Sequence, residues 1–279
     1  MSLAVSVSAQ TSKFEKRYNL LVSQFGPAGV GVETVLDNWE KEDSTDYNLL
    51  LAKFEFYFAK AKSTVVVSKP DKKYLGKSPV FSLKDSTGNA IYYYQEEIFD
   101  DEIYGLAVKE ADKAVALYPD KIDCRFLKAN AYIAYEKESP DMALAYLIEL
   151  ARQDAARKKP WEFGGAEVED KDFFEDAMLE YCVSFYTIGS QRSYEAFRIL
   201  SEEMLALHPG SVEYMNNIGT YYMVAKDDCK TALKYYGKVL KKDSDNYTAL
   251  KNGILAARKL KDTKLETKYR ERLKSLNDK

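Results

Sequence analysis

Apolar residues recur at helical spacing along most of this chain, in segments broken by polar or Gly/Pro stretches. Phe14, Tyr18, Leu21, Val22 and Phe25 share one face of a helix predicted over Ser12–Phe25. Gly26-Pro27-Ala28-Gly29-Val30-Gly31 ends it, and Val35, Leu36 and Trp39 mark a second helix over Val32–Lys41. Ser44-Thr45-Asp46 supplies N-cap chemistry for Tyr47–Lys62, which is apolar nearly all round and is therefore expected between more than one neighbour. The same periodicity predicts helices over Glu96–Tyr118, Ile122–Lys137, Asp141–Ala156, Phe173–Ile188, Tyr194–Leu207, Val212–Val224, Thr231–Leu240, Tyr247–Leu260 and Lys264–Leu276. Pro140 falls at a helix start, where its missing N–H would be unpaired anyway. The last pair is polar and basic, as a solvent-facing end should be.

Two stretches break this pattern. Val65-Val66-Val67, Lys69-Pro70-Asp71 and Gly76–Pro79 precede an alternation of Phe81, Leu83, Ile91 and Tyr93 about Asp85-Ser86-Thr87-Gly88-Asn89. Alternation about such a turn predicts a β-hairpin. Residues 63–94 therefore read as an insertion between the two helices of one pair, either on a binding face or capping a seam. Residues 157–171 form a long link, which is either a hinge or a segment whose Trp161 and Phe163 plug a groove.

The most specific pattern lies between Met215 and Ser244. It runs Met215-x-x-Ile218-Gly219-x-x-Tyr222, then Ala232-x-x-x-Tyr236, then Ser244. Gly219 and Ala232 are small where two antiparallel helices approach closely. This stretch resembles a tetratricopeptide repeat, W-x₂-L-G-x₂-Y then A-x₃-F then P, with a period of about 34 residues. Met stands for Trp, Ile for Leu, Tyr for Phe and Ser for Pro. Upstream, Leu179-x-x-Cys182-Val183-x-x-Tyr186 precedes Ala196-x-x-x-Leu200 and His208-Pro209. Ala129 and Tyr132 precede Ala143-x-x-x-Leu147, and Ala107, Ala114 and Pro119 have second-helix spacing. The anchor alanines 107, 143, 196 and 232 stand 36, 53 and 36 residues apart. Arg125 and Lys128 depart from the pattern where apolar residues belong, and Val183 departs where Gly or Ala belongs.

The resemblance implies an all-α fold over residues 12–279, a right-handed α-α superhelix of helical hairpins with a small β-hairpin insertion. In such arrays the first helix of each pair lines a concave surface that holds a peptide or another protein. Matched positions place Phe126, Asn130 and Ile133 on that surface, then Glu180, Ser184 and Thr187, then Asn216, Thr220 and Met223, then Lys251 and Leu255. Spacings of three or four put each set on one helix face. Asn130 and Asn216 are expected to bond a peptide backbone, and Phe126 and Met223 to offer apolar contact. The basic carboxylate clamp of the chaperone-binding members is poorly met: Lys251, Asn216 and Asn252 approach it, while Glu180 opposes it.

Composition narrows the partners. The 279 residues are 46% hydrophobic and 30% charged with a formal net charge of -3, so the chain has no general attraction to nucleic acid or anionic membrane. The basic run from Lys251 to Lys279 is interrupted by acids and holds only Tyr269 as an aromatic, which fits a solvated cap better than a nucleic-acid site. The 22 tyrosines against 2 tryptophans either fill helix seams or line a groove. The second use leaves an alternative reading, a carbohydrate-binding protein with exposed tyrosines and Trp161 as stacking platforms. No stretch is apolar enough to span a bilayer. Residues 1–11 are either a frayed start or the remnant of a secretory signal peptide with Val7 and Ala9 at cleavage spacing. The second option implies a periplasmic or secreted protein, and the first a cytoplasmic one.

Candidate chemistry is sparse. His208 is the single histidine, so H-E-x-x-H cannot occur, and no G-x-S-x-G elbow offers a serine. Cys124, Cys182 and Cys229 form no C-x-x-C and read as buried free thiols. The Gly26–Gly31 stretch matches no phosphate-loop motif and follows no strand, so it reads as a helix end and turn. The sequence therefore predicts a non-enzymatic interaction protein with no cofactor and no metal.

Overall fold

The Ser12 hydroxyl accepts the Glu15 N–H at 3.0 Å and so starts α1 (Lys13–Phe25), and Gly26, at φ 79°, ends it. In the computed structural model, which describes residues 12–277, the chain continues through α2 (Val32–Glu42), α3 (Tyr47–Ala61), β1 (Lys62–Lys69), β2 (Phe81–Lys84) and β3 (Ala90–Phe99). There follow α4 (Asp101–Leu117), α5 (Asp123–Glu136), α6 (Asp141–Ala156), β4 (Glu162–Phe163) and β5 (Ala166–Glu167). Then come α7 (Phe173–Ile188), α8 (Gln191–Leu207), α9 (Val212–Val224), α10 (Cys229–Lys242), α11 (Tyr247–Lys259) and α12 (Thr263–Asn277). The protein is therefore mostly helical, with a small sheet. Residues 1–11, with their signal-peptide reading, lie outside the described residues.

Side-chain caps start many of these helices. Asp46 accepts the N–H groups of Asn48 and Leu49, Ser190 that of Ser193 and Asp228 that of Thr231. Each satisfies donors that have no partner inside the helix, a contribution of about 1 kcal/mol per cap.

The contacts divide the chain into two compact units. The first comprises residues 12–68, Val80–Ala131 and Pro160–Val168. Here α1, α2 and α3 enclose Tyr18, Leu21, Leu36, Trp39, Leu49 and Phe56. Leu50, on another side of α3, packs with Ala114 and Cys124 of α4 and α5. This two-sided packing is the physical reason for the near-continuous apolar surface of α3.

The insertion is larger than a hairpin over 63–94. β2 and β3 pair antiparallel with Phe81 opposite Tyr93 and Leu83 opposite Ile91. The Phe81 and Tyr93 rings stack at 4.5 Å, and Asp85 braces the turn by accepting the N–H groups of Thr87 and Asn89. However, β3 runs on to Phe99 and β1 joins the sheet, giving the order β1-β3-β2. The helix predicted from Glu96 thus begins only at Asp101, capped by Asp100. The Tyr92-Tyr93-Tyr94 and Ile98-Phe99 runs suit a strand, and β1 supplies the backbone partner that an isolated reading of 96–100 lacks.

The link after α6 is ordered by a two-residue turn. Gly164 and Gly165, both at positive φ, join β4 to β5, a geometry that favours glycine. Glu162 is held in turn by its N–H to the Asp120 carbonyl and by its carbonyl accepting from Ile122, both at 2.9 Å. Trp161 is only 5% exposed beneath the Arg125 guanidinium, whereas Phe163 remains exposed.

The second unit comprises Lys69–Pro79, Tyr132–Lys159 and residues 169–277, so the boundary falls within α5. Successive helices from α7 to α12 pack on one another, and α9 also touches both α7 and α11. Met215, Met223, Ala232, Tyr236, Val239 and Ala249 form a core shared by α9, α10 and α11. Leu250 and Ile254 pack with Tyr269 to seat α12, which is otherwise largely solvated. The 69–79 loop turns at Leu75 and Gly76, both at positive φ, and lays Gly76 on the end of α7. A β-carbon there would stand 2.2 Å from the Thr187 carbonyl oxygen, so only glycine fits. Among the described residues no helix is long and apolar enough to cross a membrane.

Candidate functional site

The α9–α10 hairpin sets the geometry of the second unit. Gly219 lies against the Tyr236 ring, and a β-carbon on it would stand 2.7 Å from Tyr236 Cε1. Gly253 on α11 meets Tyr269 of α12 in the same manner, 2.8 Å from Cε2. Glycine at these places makes room for a buried tyrosine from the second helix of each pair.

On α7 the seam is shifted one residue from the sequence reading. Met178, Tyr181, Cys182 and Phe185 are buried, while Val183 and Tyr186 are 53% and 37% exposed. Cys182, not Val183, is the small residue of this seam, and its Sγ lies 3.5 Å from Ser201 Oγ on α8. The two frames have identical spacing. Only the smaller volume of Cys against Val favoured the correct one in the sequence.

The residues at the departing positions of α5 have partners. Arg125 is buried, donates from Nη2 to the Pro119 carbonyl at 3.0 Å, and stacks over Trp161 at 5.3 Å. Lys128 pairs with Asp112 of α4. Long basic side chains thus bury their stems and pair their heads, Arg125 with the Pro119 carbonyl and Lys128 with Asp112.

The residues expected on an inner face divide by burial. Phe126 and Asn130 belong to the first unit, half-buried and exposed respectively, and Ile133 to the part of α5 in the second. On α7, Glu180 and Thr187 are exposed and Ser184 is half-buried, its hydroxyl donating to the Glu180 carbonyl at 2.9 Å. Lys251 and Leu255 are exposed on α11, with Lys251 above the Tyr247 ring. Asn216 and Met223 are buried, and Thr220 is half-buried. Expected as ligand contacts, Asn216, Thr220 and Met223 instead fasten helices together.

The fastening is specific. Asn216 Nδ2 donates to Asn246 Oδ1 at 3.0 Å, the oxygen that also caps α11 by accepting from Ala249 N–H. Thr220 Oγ1 lies 3.3 Å from the Tyr236 hydroxyl and accepts from Asn252 Nδ2. In the register set by Gly219 and Gly253, Asn216 and Thr220 correspond to Leu250 and Ile254, both buried. Lys251 and Leu255 stand one residue further on and are exposed.

The tyrosines are used as seam residues. Tyr214, Tyr221 and Tyr236 are fully buried, both tryptophans are buried, and only Tyr186 and Tyr247 are exposed. Tyr221 donates to Glu195 Oε1 at 2.6 Å, which also accepts from Lys226 at 2.8 Å, while Arg198 binds the other oxygen at 3.2 Å. Partial burial pushes the Glu195 carboxyl up, but the bonds from Lys226, Tyr221 and Arg198 outweigh it and bring it down to about 2. This hub ties α8 to the end of α9.

The cysteines and the single histidine lie in or beside helices. The three cysteines are buried free thiols, and burial pushes Cys182 up to about 12, far from a reactive thiolate. His208 ends α8 and lies 3.4 Å from Glu175. Among the described residues no group of three or more His, Cys, Asp or Glu is placed to hold a metal ion.

No family model and no curated protein sequence matches this chain.

Proposed function

We propose that this chain is a divergent tetratricopeptide-like repeat protein. It forms a right-handed α-α superhelix whose first-helix face holds an extended peptide or a protein partner, without chemistry of its own. The observation that carries this reading is the repeated glycine–tyrosine contact, Gly219 with Tyr236 and then Gly253 with Tyr269, the glycines standing 34 residues apart and the tyrosines 33. Both intervals are close to the period of the family, about 34 residues. A unit of this kind cannot bury its apolar face alone and so stacks on its neighbours, as α9 does on α7 and α11.

The contact residues are then those left in solvent, Glu180, Val183 and Thr187 on α7, and Lys251 and Leu255 on α11. They offer mixed charge and isolated apolar side chains, a surface suited to peptide rather than sugar. Burial of Trp161 and the exposure of only Tyr186 and Tyr247 among the tyrosines weigh against the carbohydrate reading, which needs ring faces open to water.

The test is selection of displayed peptides on the purified full chain, repeated with a Glu180→Lys/Lys251→Glu/Leu255→Asp variant. All three side chains are exposed, so circular dichroism should be unchanged. Peptides retained by the parent and lost by the variant support the reading. Peptides retained equally by both refute this surface, and glycan-array binding without peptide binding favours the sugar alternative. Export to the periplasm or beyond belongs to the same proposal and is checked by fractionating cells that make a C-terminally tagged chain.

A further inference from the structure

The first unit holds a half-open cavity of about 140 Å³ between α1 and α3. Its apolar wall is Tyr18, Trp39, Leu51 and Ala52, with Trp39 from α2. Its polar rim is Glu15 and Asn19 from α1, facing Asn48 and Glu55 from α3. The spacing puts Glu15 and Asn19 four apart on one helix, and Asn48, Leu51, Ala52 and Glu55 on one face of the other. No lysine, arginine or histidine lines it. The Tyr18 hydroxyl donates to Glu55 Oε2 at 2.7 Å, which fixes that carboxylate and leaves its other oxygen to accept.

We propose that this cavity binds a linear alkylammonium group, as carried by a lysine side chain or a free amine. An ammonium has three N–H donors and no acceptor. Glu15, Glu55 and one side-chain amide oxygen, from Asn19 or Asn48, meet all three. The methylenes lie against half-buried Leu51 and over the edges of the nearly buried Tyr18 and Trp39 rings, as lysine stems do on apolar surfaces. The volume is that of about four or five waters in the liquid, enough for a four-carbon chain and its head group. An anion would meet two carboxylates and no cation. A hard metal ion keeps oxygen ligands or water all round it, which the apolar wall does not supply, and no third acidic, histidine or cysteine side chain lines the cavity. This inference stands apart from the peptide-binding face on α7 and α11, since every residue it uses lies in the first unit.

Trp39 makes the site readable. The chain has 2 tryptophans, so ¹⁵N-indole labelling of the full chain gives two signals, which a Trp161→Phe variant assigns. The probes are n-butylammonium, Nα-acetyl-lysine methylamide and the neutral Nα-acetyl-norleucine methylamide. The expected result is a saturable shift of the Trp39 signal with both cations and none with the neutral analogue. Binding should weaken in Glu15→Gln and Glu55→Gln by about tenfold each, and should weaken further between about 0.01 M and 0.1 M salt. Equal response to the norleucine analogue, unchanged affinity in both Gln variants, or no Trp39 shift with either cation would each overturn the proposal. A response to butylammonium but not to the lysine derivative would assign the site to free amines, and comparable responses to a peptide side chain. Glutamine preserves the size of each residue and can still accept from Tyr18, so the folded state should persist, with circular dichroism as the check.

Discussion

Gly219 lies so close to the Tyr236 ring that its hydrogen occupies the space a methyl group would need, with Cε1 only 2.7 Å from the position of a β-carbon. Tyr236 is itself fully buried, and its hydroxyl faces Thr220 of α9. The glycine is therefore a packing requirement of the tyrosine, and the same pair recurs as Gly253 and Tyr269.

Gly219→Ala should destabilise the protein by up to about 2 kcal/mol. Overpacking costs about 1–3 kcal/mol, offset by the better helix propensity of alanine, about 1 kcal/mol. Gly253→Ala should cost less, because Tyr269 sits on the terminal helix and can shift. Urea unfolding of both variants, and of Gly219→Ala/Tyr236→Leu, checks this. The double variant should lose less than the sum of its single changes, and strict additivity would contradict the contact.

Glu195 should make stability pH-dependent. Its carboxyl is held at about 2 in the folded protein against 4.5 ordinarily. A lowered folded value means that the contribution is present above about pH 4.5 and fades as pH falls towards 2. Glu195→Gln should therefore cost about 1 kcal/mol at neutral pH, a figure discounted for solvent screening. The gap from the parent should close at low pH, and a gap that does not narrow would show that the hub is not electrostatic.

Arg125 tests whether charge or volume matters over Trp161. Arg125→Ala should cost about 2–3 kcal/mol by removing the stacked stem and the bond to Pro119. Arg125→Met keeps the volume and also removes a buried Nε that has no hydrogen-bond partner. It should cost less than half as much. Chemical denaturation followed by Trp161 emission separates the two.

Lys53 is buried on α3 and reaches Glu40 at 2.7 Å and Glu110 at 2.9 Å. Lys53→Met should cost about 3 kcal/mol, because two carboxylates are left facing each other without their cation. Adding Glu110→Leu should recover part of that loss in a thermal melt. No recovery would mean that the lysine acts through packing alone.

The helices were legible because a 3.6-residue apolar repeat is a local property. The Asp46 cap falls within the Ser44-Thr45-Asp46 run that the sequence offers, since a cap needs only its own next two or three residues. The sheet was half legible. The β2–β3 hairpin announces itself through its turn, but β1 is separated from its partner by the 69–79 loop, so its pairing leaves no local signal. The α7 frame was ambiguous by one residue because two frames share the same spacing.

The exposure of the candidate residues was only partly legible. Helix-face spacing identifies Glu180, Thr187, Lys251 and Leu255, which are in solvent. It identifies Asn216 and Met223 equally well, which are buried. Spacing tells which residues share a face, while burial depends on which neighbouring helix covers it.

By itself the sequence determined the helical class, the position of nearly every helix, the Gly219-centred hairpin and the interruptions near residues 63–94 and 157–171. These follow from periodicity, turn chemistry and residue size, which act over a few residues. Only the tertiary structure decided that Asn216 braces the Asn246 cap, that Arg125 lies over Trp161, and that Glu15 and Glu55 face one cavity. Those relationships join residues on different helices, and the free energy that sets them comes from packing and desolvation between elements, which no single stretch of sequence encodes.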